Sequence, residues 1–293
     1  MRVLYFTSGI TASGHIVRGI AVGLGLRRAG IACEYTILHP ESPFGELCDR
    51  MGMAHRAFVP EGEDTLLGAD PSRSELYRII MELAPDLLVV DLHWAPLHAF
   101  IRELGCRKIF ICRQVHPRFF SFDLRTGPIA FRPDDWDEIL SIEPWDEPFP
   151  MRRIDPIVLR NPDEILSREA ARDALGLPPQ GDAFMLSLNA HAGNFEDARK
   201  TYSYLEDEGW KAVYTSNWHG GLFPAADWFN AVDLVICGGG YNQFWETVFF
   251  SKEAIHLTQP CVFEDQRLRV DKCQGYEFKE NGADTLAKII AGY

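Results

Sequence analysis

The sequence predicts an α/β protein of two domains, each a parallel sheet wrapped by helices. Three observations carry this. Short apolar runs of strand length alternate with segments of helical apolar spacing; the alternation loosens once, between Gln114 and about Pro150, and then resumes; and two of the apolar runs lead straight into a loop of small residues that opens a helix. A chain of 293 residues with 46% hydrophobic content can bury a substantial core, and its length favours two domains of ordinary size over one.

The elements follow in order. Met1–Phe6 is an apolar strand, and Ile16–Ala29 has the apolar spacing of a packed helix closed by Gly30. A strand over Ala32–Ile37 comes next, then helical pieces around Phe44–Met51 and Arg73–Leu83. Asp86-Leu-Leu-Val-Val-Asp91 reads as a buried strand, as does Lys108–Cys112. The stretch from Gln114 to Pro150, rich in Pro, Asp and aromatics, is a linker or a long loop over a site. Beyond it the pattern predicts a short strand at Arg153–Leu159, a helix starting near Asn161, a strand at Ala183–Leu188, a helix over Phe195–Glu208 and a strand at Lys211–Thr215. Val232–Cys237 is a strand running into Gly238-Gly-Gly240. The boundary is placed so that the domains are 1–147 and 148–293.

Composition narrows the function classes. The formal charge of −13 disfavours a general nucleic-acid surface, which needs clustered Lys and Arg, so any bound phosphate is held locally by backbone amides or helix ends. Seven cysteines, odd in number and without a C-x-x-C pair, suggest neither a disulfide framework nor a zinc site; a reducing cytoplasm is expected. There is no apolar run of membrane-spanning length and no signal-peptide pattern at the start, so a transmembrane segment is not expected.

The two small-residue loops carry the chemistry. Thr7–Gly14 sits between a strand and a helix, where unpaired amides point to the carboxyl edge of a sheet, and His15 is the side chain there able to accept a proton near neutral pH. A tight turn with His15 merely capping the helix is the plainer alternative. In Gly238-Gly-Gly-Tyr-Asn-Gln-Phe-Trp-Glu246, three glycines let an anion approach the main chain and the helix start adds partial positive charge, a combination that can hold a diphosphate. From a helix starting near Tyr241, Glu246 can face that ligand and accept from a ribose diol, or else be a solvated helix residue.

Asp233–Glu246 followed by Phe263-Glu-Asp-Gln266 resembles the donor-binding segment of GT-B glycosyltransferases, including the peptidoglycan N-acetylglucosaminyltransferase and the plant and macrolide UDP-sugar transferases. The resemblance implies two Rossmann-like domains facing across a cleft, and transfer of a sugar from a nucleotide-diphosphate donor, UDP by default, to an acceptor hydroxyl that the sequence does not identify. It implies that Gly239, Gly240, Tyr241 and Asn242 contact phosphate, Glu246 the ribose, and Asp265 with Gln266 the hexose. Gly14-His15 matches the loop whose His deprotonates the acceptor, and Asp91 matches the Asp that supports that His in the plant-type enzymes; Gly14 is placed with the donor-binding residues. A carboxylate on one imidazole nitrogen fixes the tautomer and stabilises the cation formed at the other.

Departures from the pattern are equally specific. Gly238 stands where relatives have His or Arg, which shifts phosphate binding onto amides. Ser187–Asn194 replaces a Gly-Ser-rich turn, so Asn189, Gly193 and Asn194 are candidates at the diphosphate, while His191 is not chosen. The base-recognition signature is absent between Thr215 and Trp228. His93 and His98, five apart and next to Pro96, are read as ordinary polar residues, and His116–Phe120 as an acceptor-pocket lining or a packed loop. The scheme needs no cofactor and no metal. Two alternatives use the same residues: a nucleotide-sugar hydrolase with water as acceptor, similar in its Gly-His loop and size to the UDP-sugar hydrolase of pseudaminic acid synthesis, and a binding protein that has lost catalysis.

Overall fold

The structure, a computed structural model, describes residues 1–9, 13–66, 70–125, 127–146, 149–189, 192–217 and 221–293. The expected boundary at 147 and 148 and His191 lie outside these. The chain divides into two compact units, one of Met1–Ile157, Val262–Glu264 and Gly282–Tyr293, the other of Val158–Cys261 and Asp265–Asn281.

In the first unit the strands are β1 (Arg2–Phe6), β2 (Glu34–Pro40), β3 (Ala54–Phe58), β4 (Leu87–Asp91), β5 (Arg107–Cys112), β6 (Ser121–Leu124), β7 (Gly127–Ala130), β8 (Glu138–Ser141) and β9 (Arg152–Arg153). Seven of them form one sheet in the order β3-β2-β1-β4-β5-β8-β9, every pair parallel; β6 and β7 form a separate antiparallel hairpin. Parallel strands need helical crossovers, which cover both faces and explain why β1 and β4 read as unbroken apolar runs. Those crossovers include α1 (Gly14–Arg28), α2 (Glu46–Arg50), α3 (Glu63–Leu66) and α4 (Glu75–Leu83). Gly30 follows α1 with φ +66, the left-handed turn expected of a closing glycine, its N–H donating to the Arg27 carbonyl.

The second unit has one four-stranded parallel sheet in the order β11-β10-β12-β13, with β10 (Ala183–Ser187), β11 (Lys211–Thr215), β12 (Leu234–Gly238) and β13 (Ala254–Leu257). Its helices are α5 (Arg168–Ala174), α6 (Ala192–Thr201), α7 (Tyr204–Asp207), α8 (Tyr241–Phe249) and α9 (Gln266–Cys273). The last helix, α10 (Gly282–Ala291), belongs to the first unit, where it packs on α1 and Asp284 pairs with Arg28 at 2.6 Å.

Some expected elements differ. The loosened region contains β6, β7 and β8, four-residue strands, β7 with Pro128 within it and β8 preceded by Pro133 and a charged turn, too short for a periodic signal. The strand expected over Arg153–Leu159 reduces to Arg152–Arg153. At Asn161 there is a turn, closed by the Glu164 N–H on the Asn161 carbonyl at 3.0 Å, in place of a helix. The helix expected over Phe195–Glu208 breaks into α6 and α7 around Ser203. All seven cysteines are free, and no helix among the described residues is long and apolar enough to cross a membrane.

Candidate active site

Both sheets reverse their strand order beside a small-residue loop. In the first, β2 lies on one side of β1 and β4 on the other, so the carboxyl ends of β1 and β4 make a topological switch point, where open α/β sheets leave a crevice for ligands. Asp91 is the last residue of β4, and His15 is the second residue of the helix that follows β1. Their meeting is therefore a consequence of topology: His15 Nδ1 lies 2.8 Å from Asp91 Oδ2. Gly9 is seated against the imidazole, and a Cβ there would collide with the ring at Cδ2.

Asp91 is fully buried and is shared. Arg18, one turn along α1 and itself 2% exposed, donates from Nε at 3.1 Å and from Nη2 at 2.9 Å to Asp91 Oδ2. Burial alone would favour the neutral acid, but Arg18 and then His15 hold the Asp91 carboxyl well below the usual carboxylate range. The Arg18 Nη2 also comes within 2.7 Å of His15 Nδ1. A ring nitrogen has one in-plane direction, so Nδ1 either donates its proton to Asp91 or accepts one from Arg18. Only the first leaves Nε2 as a proton acceptor. Burial drives the His15 pKa down to about 4, Asp91 opposing and Arg18 reinforcing the shift, so the imidazole is neutral at pH 7.

His93 completes this cluster, contrary to its reading as an ordinary polar residue. Leu92 turns the chain after β4 with φ +66, a backbone state that a branched side chain adopts only when the surroundings impose it. That turn lays His93 edge-on against His15, ring centroids 4.4 Å apart, with its Nδ1 3.2 Å from the Asp91 carbonyl oxygen. The carbonyl can only accept, so His93 carries its proton on Nδ1. Burial and then the neighbouring His15 keep it well below its ordinary pKa. His98 is elsewhere, edge-on to Trp94. The His116–Phe120 segment is a packed loop at its aromatic end: Phe119 lies edge-on to Phe263 at 5.3 Å, and the His116 N–H donates to the Phe263 carbonyl. Beside it Arg113 and Glu264 form an ion pair.

In the second unit the switch point lies between β10 and β12, where Ser187 ends one strand and Gly238 the other. Gln243, in the first turn of α8, ties them together: its Oε1 accepts from the Gly238 N–H at 3.2 Å and its Nε2 donates to the Ser187 carbonyl at 2.5 Å. The Gly239 N–H donates to the Leu257 carbonyl at 3.1 Å, and its Cα is pressed so near Thr258 and Gln266 that a Cβ would come 2.9 Å from Thr258 Cγ2. Two of the three loop amides are thus engaged in holding the turn. The Gly240 N–H, at the N-cap of α8, has no partner among the described residues, and its position is open apart from the Gln266 amide.

Glu246 is buried on α8, and its carboxyl makes no protein hydrogen bond among the described residues. Arg160 and Asp227 stand nearby as a bidentate pair at 2.8 and 3.0 Å. Burial lifts the Glu246 pKa to about 8, Asp227 adding to the shift and Arg160 opposing it, so at pH 7 the group is largely a neutral acid, able to donate as well as accept. Asp265 caps α9, its Oδ1 accepting from the Leu268 N–H at 2.9 Å. Gln266 accepts from the Gln259 N–H at 2.9 Å. Asn189 accepts from the Asn217 N–H at 2.6 Å, so it shapes the loops after β10 and β11; Gly193 is exposed in α6 with open space around it. Tyr241 and Asn242 open α8, and Gly14 opens α1.

Sequence reasoning passed over Arg18, His93, Gln243 and the Arg160–Asp227 pair. For Arg18 a signal exists: a lone charge inside an otherwise apolar helical stretch, Ile16–Leu26, is rarely buried without a partner. For His93 the signal is its place two residues beyond Asp91.

No protein-family model matches the sequence, and no curated protein matches it significantly. The structure is similar to solved glycosyltransferases. Spinosyn forosaminyltransferase SpnP aligns with a TM-score of 0.61 at 15% identity over 99% of this chain and 90% of that one. The Streptomyces sp. SF2575 glycosyltransferase SsfS6, complexed with thymidine diphosphate, gives 0.58 at 16% identity over 89% and 82%. Acinetobacter baumannii MurG gives 0.50 at 12% identity over 99% and 83%. The chain therefore has the GT-B fold, built of two Rossmann-like units.

Proposed function

We propose that this chain is a glycosyltransferase that moves a sugar from a nucleotide-diphosphate donor to an acceptor hydroxyl. The observation that carries the reading is the His15–Asp91 contact at the switch point of the first sheet. With Nδ1–H directed at Asp91, His15 Nε2 takes the acceptor proton while the acceptor oxygen bonds to the anomeric carbon and the bond from that carbon to the diphosphate breaks. The Gly240 amide and the start of α8 stabilise the departing diphosphate, Glu246 binds the ribose, and Asp265 and Gln266 bind the hexose. Negative charge is met by amides and a helix end, so the step needs no metal. Thymidine diphosphate stands beside UDP as a candidate, because SsfS6 was solved with it and the segment between Thr215 and Trp228 lacks the UDP signature.

The test has two stages. A thermal-shift screen of UDP, dTDP, GDP and ADP with their sugars is expected to give one diphosphate that raises the melting temperature of wild type and His15→Ala alike. Nucleoside diphosphate release from the matching sugar, measured with a panel of hydroxyl acceptors, is then expected in wild type and lost in His15→Ala. If no nucleotide stabilises the protein, donor binding is refuted; equal turnover in the variant refutes the role of His15. Equally fast release of free sugar without acceptor reassigns the same site to hydrolysis.

A further inference from the structure

A second cluster of titratable side chains lies on the other side of β1 from Asp91, on β2 and β3, and plays no part in the reading above. The strands pair in parallel with Ile37 opposite His55 and His39 opposite Ala57, so His39 and His55 share a face two residues apart on the diagonal. Cys48 is presented by α2, the helix that connects the two strands. The ligand atoms of His39, Cys48 and His55 all lie within 4.8 Å of one another, with His39 and Cys48 buried. Gly45, just before α2, leaves room for both rings: a Cβ there would stand 3.1 Å from Cε1 of His39 and 3.6 Å from Cε1 of His55.

The proton positions make the cluster unusual. His39 Nδ1 is 2.8 Å from the Pro40 carbonyl oxygen, which can only accept, so that nitrogen carries a proton. His55 Nε2 is 3.2 Å from Asp49 Oδ1, a carboxylate oxygen, and carries its proton for the same reason. The remaining nitrogens, His39 Nε2 and His55 Nδ1, are therefore both lone-pair atoms, yet they face each other at 2.9 Å. Two lone pairs at that separation repel unless a cation lies between them. A proton there would make an imidazolium of His55, paired with Asp49 and donating to His39, and would not involve Cys48, whereas a metal ion at the same point engages both nitrogens and the sulfur together. A carbonyl and a carboxylate on the outer nitrogens are, in contrast, the partners that orient metal-bound histidines.

We propose that His39, Cys48 and His55 form a Zn2+ site that clamps α2 across β2 and β3. Two imidazoles and a thiolate suit zinc, and tetrahedral coordination needs the two nitrogens about 3.3 Å apart and the sulfur about 3.6 Å from each. Opening the nitrogen pair by roughly 0.4 Å and drawing Cys48 inward meets both, with solvent in the fourth position. Binding converts the Cys48 thiol to a thiolate and releases its proton to the buffer. The cysteines carry no zinc spacing because the three ligands come from three different elements, nine and seven residues apart.

The experiment uses tag-free full-length protein stripped with a chelator and titrated with Co2+. One equivalent is expected to produce thiolate-to-cobalt charge transfer in the near ultraviolet and tetrahedral d–d bands in the visible, both abolished on adding Zn2+. Cys48→Ser is expected to lose the charge-transfer band, and His55→Gln, at a half-buried position, to weaken binding at least ~100-fold. Zn2+ should raise the melting temperature of wild type and leave that of Cys48→Ser unmoved. Absence of the band in wild type, its persistence in Cys48→Ser, or unaltered affinity in His55→Gln overturns the site; if Cys48→Ser does not fold, His55→Gln alone decides.

Discussion

Replacing Asp91 by Asn tests the cluster at the end of β4 most directly. The substitution removes the anion that His15 and Arg18 share and leaves the Arg18 guanidinium, 2% exposed, without a counter-charge. Removing one partner of a buried pair costs about 3–5 kcal/mol. For a unit of about 170 residues, at roughly 2–4 °C per kcal/mol, the melting temperature should fall by about 6–20 °C. The tautomer should change as well. Arg18 donors will claim the new amide oxygen, turning the amide N–H toward His15, so Nδ1 becomes an acceptor and the proton moves to Nε2, where it blocks the nitrogen proposed as the base. Turnover, read as nucleoside diphosphate release, should drop by about 10³–10⁴-fold, the scale set by fixing a catalytic imidazole in the wrong tautomer. Histidine 15N NMR reads the tautomer independently of activity. Adding Arg18→Leu should restore most of the stability and return His15 to Nδ1–H, because the amide oxygen is freed, while turnover recovers only in part for want of the anion. An Asp91→Asn protein that melts like wild type and keeps Nδ1–H would refute the shared-carboxylate argument.

Two further outcomes follow from the shifted ionisations. His15, held near 4, is neutral through the range where a free imidazole titrates, so the acid limb of kcat/KM should fall near pH 4–5, and Arg18→Gln, which removes a cation that lowers the pKa, should move it upward; a wild-type limb at 6.5 would contradict the burial of the ring. Glu246 works in the opposite sense: with a folded pKa of about 8 against 4.5 unfolded, the native state holds the proton longer, and stability present below pH 4.5 is lost as pH rises toward 8. The urea stability of Glu246→Gln relative to wild type should therefore be pH-independent below 4.5, gain up to ~1.4 kcal/mol per pH unit between 4.5 and 8, and level off above; a flat difference between pH 5 and 8 would show that the carboxyl is solvated.

Much of the scaffold was legible because its strands are apolar on both faces. β1, β4, β10 and β12 announce themselves as short runs ended by Gly, Asp or a small-residue loop, and β5 as a short apolar run over Ile109–Cys112. β3, β8 and β13 did not: Ala54–Phe58 and Ala254–Leu257 mix charge or His with few apolar residues, and their strand state comes from pairing with a neighbour already in place. His15, Asp91 and Glu246 stood out as polar groups at the ends of apolar segments. Gln243 stood out in no way, since a glutamine that bridges two strand ends has the local sequence of any helix start.

The order of strands and loops along the chain determined by itself that two sheets would present small-residue turns at their carboxyl edges, because apolar periodicity and glycine placement are local properties. Tertiary structure alone decided what those edges do. That Asp91 is divided between His15 and Arg18, that Leu92 turns His93 onto the same ring, that Glu246 is buried far enough to hold its proton, and that ring nitrogens of His39 and His55 meet beside Cys48 all depend on groups distant in sequence being brought together and shielded from water. Charge, tautomer and ligand geometry are set by that shielding, and no window of sequence contains it.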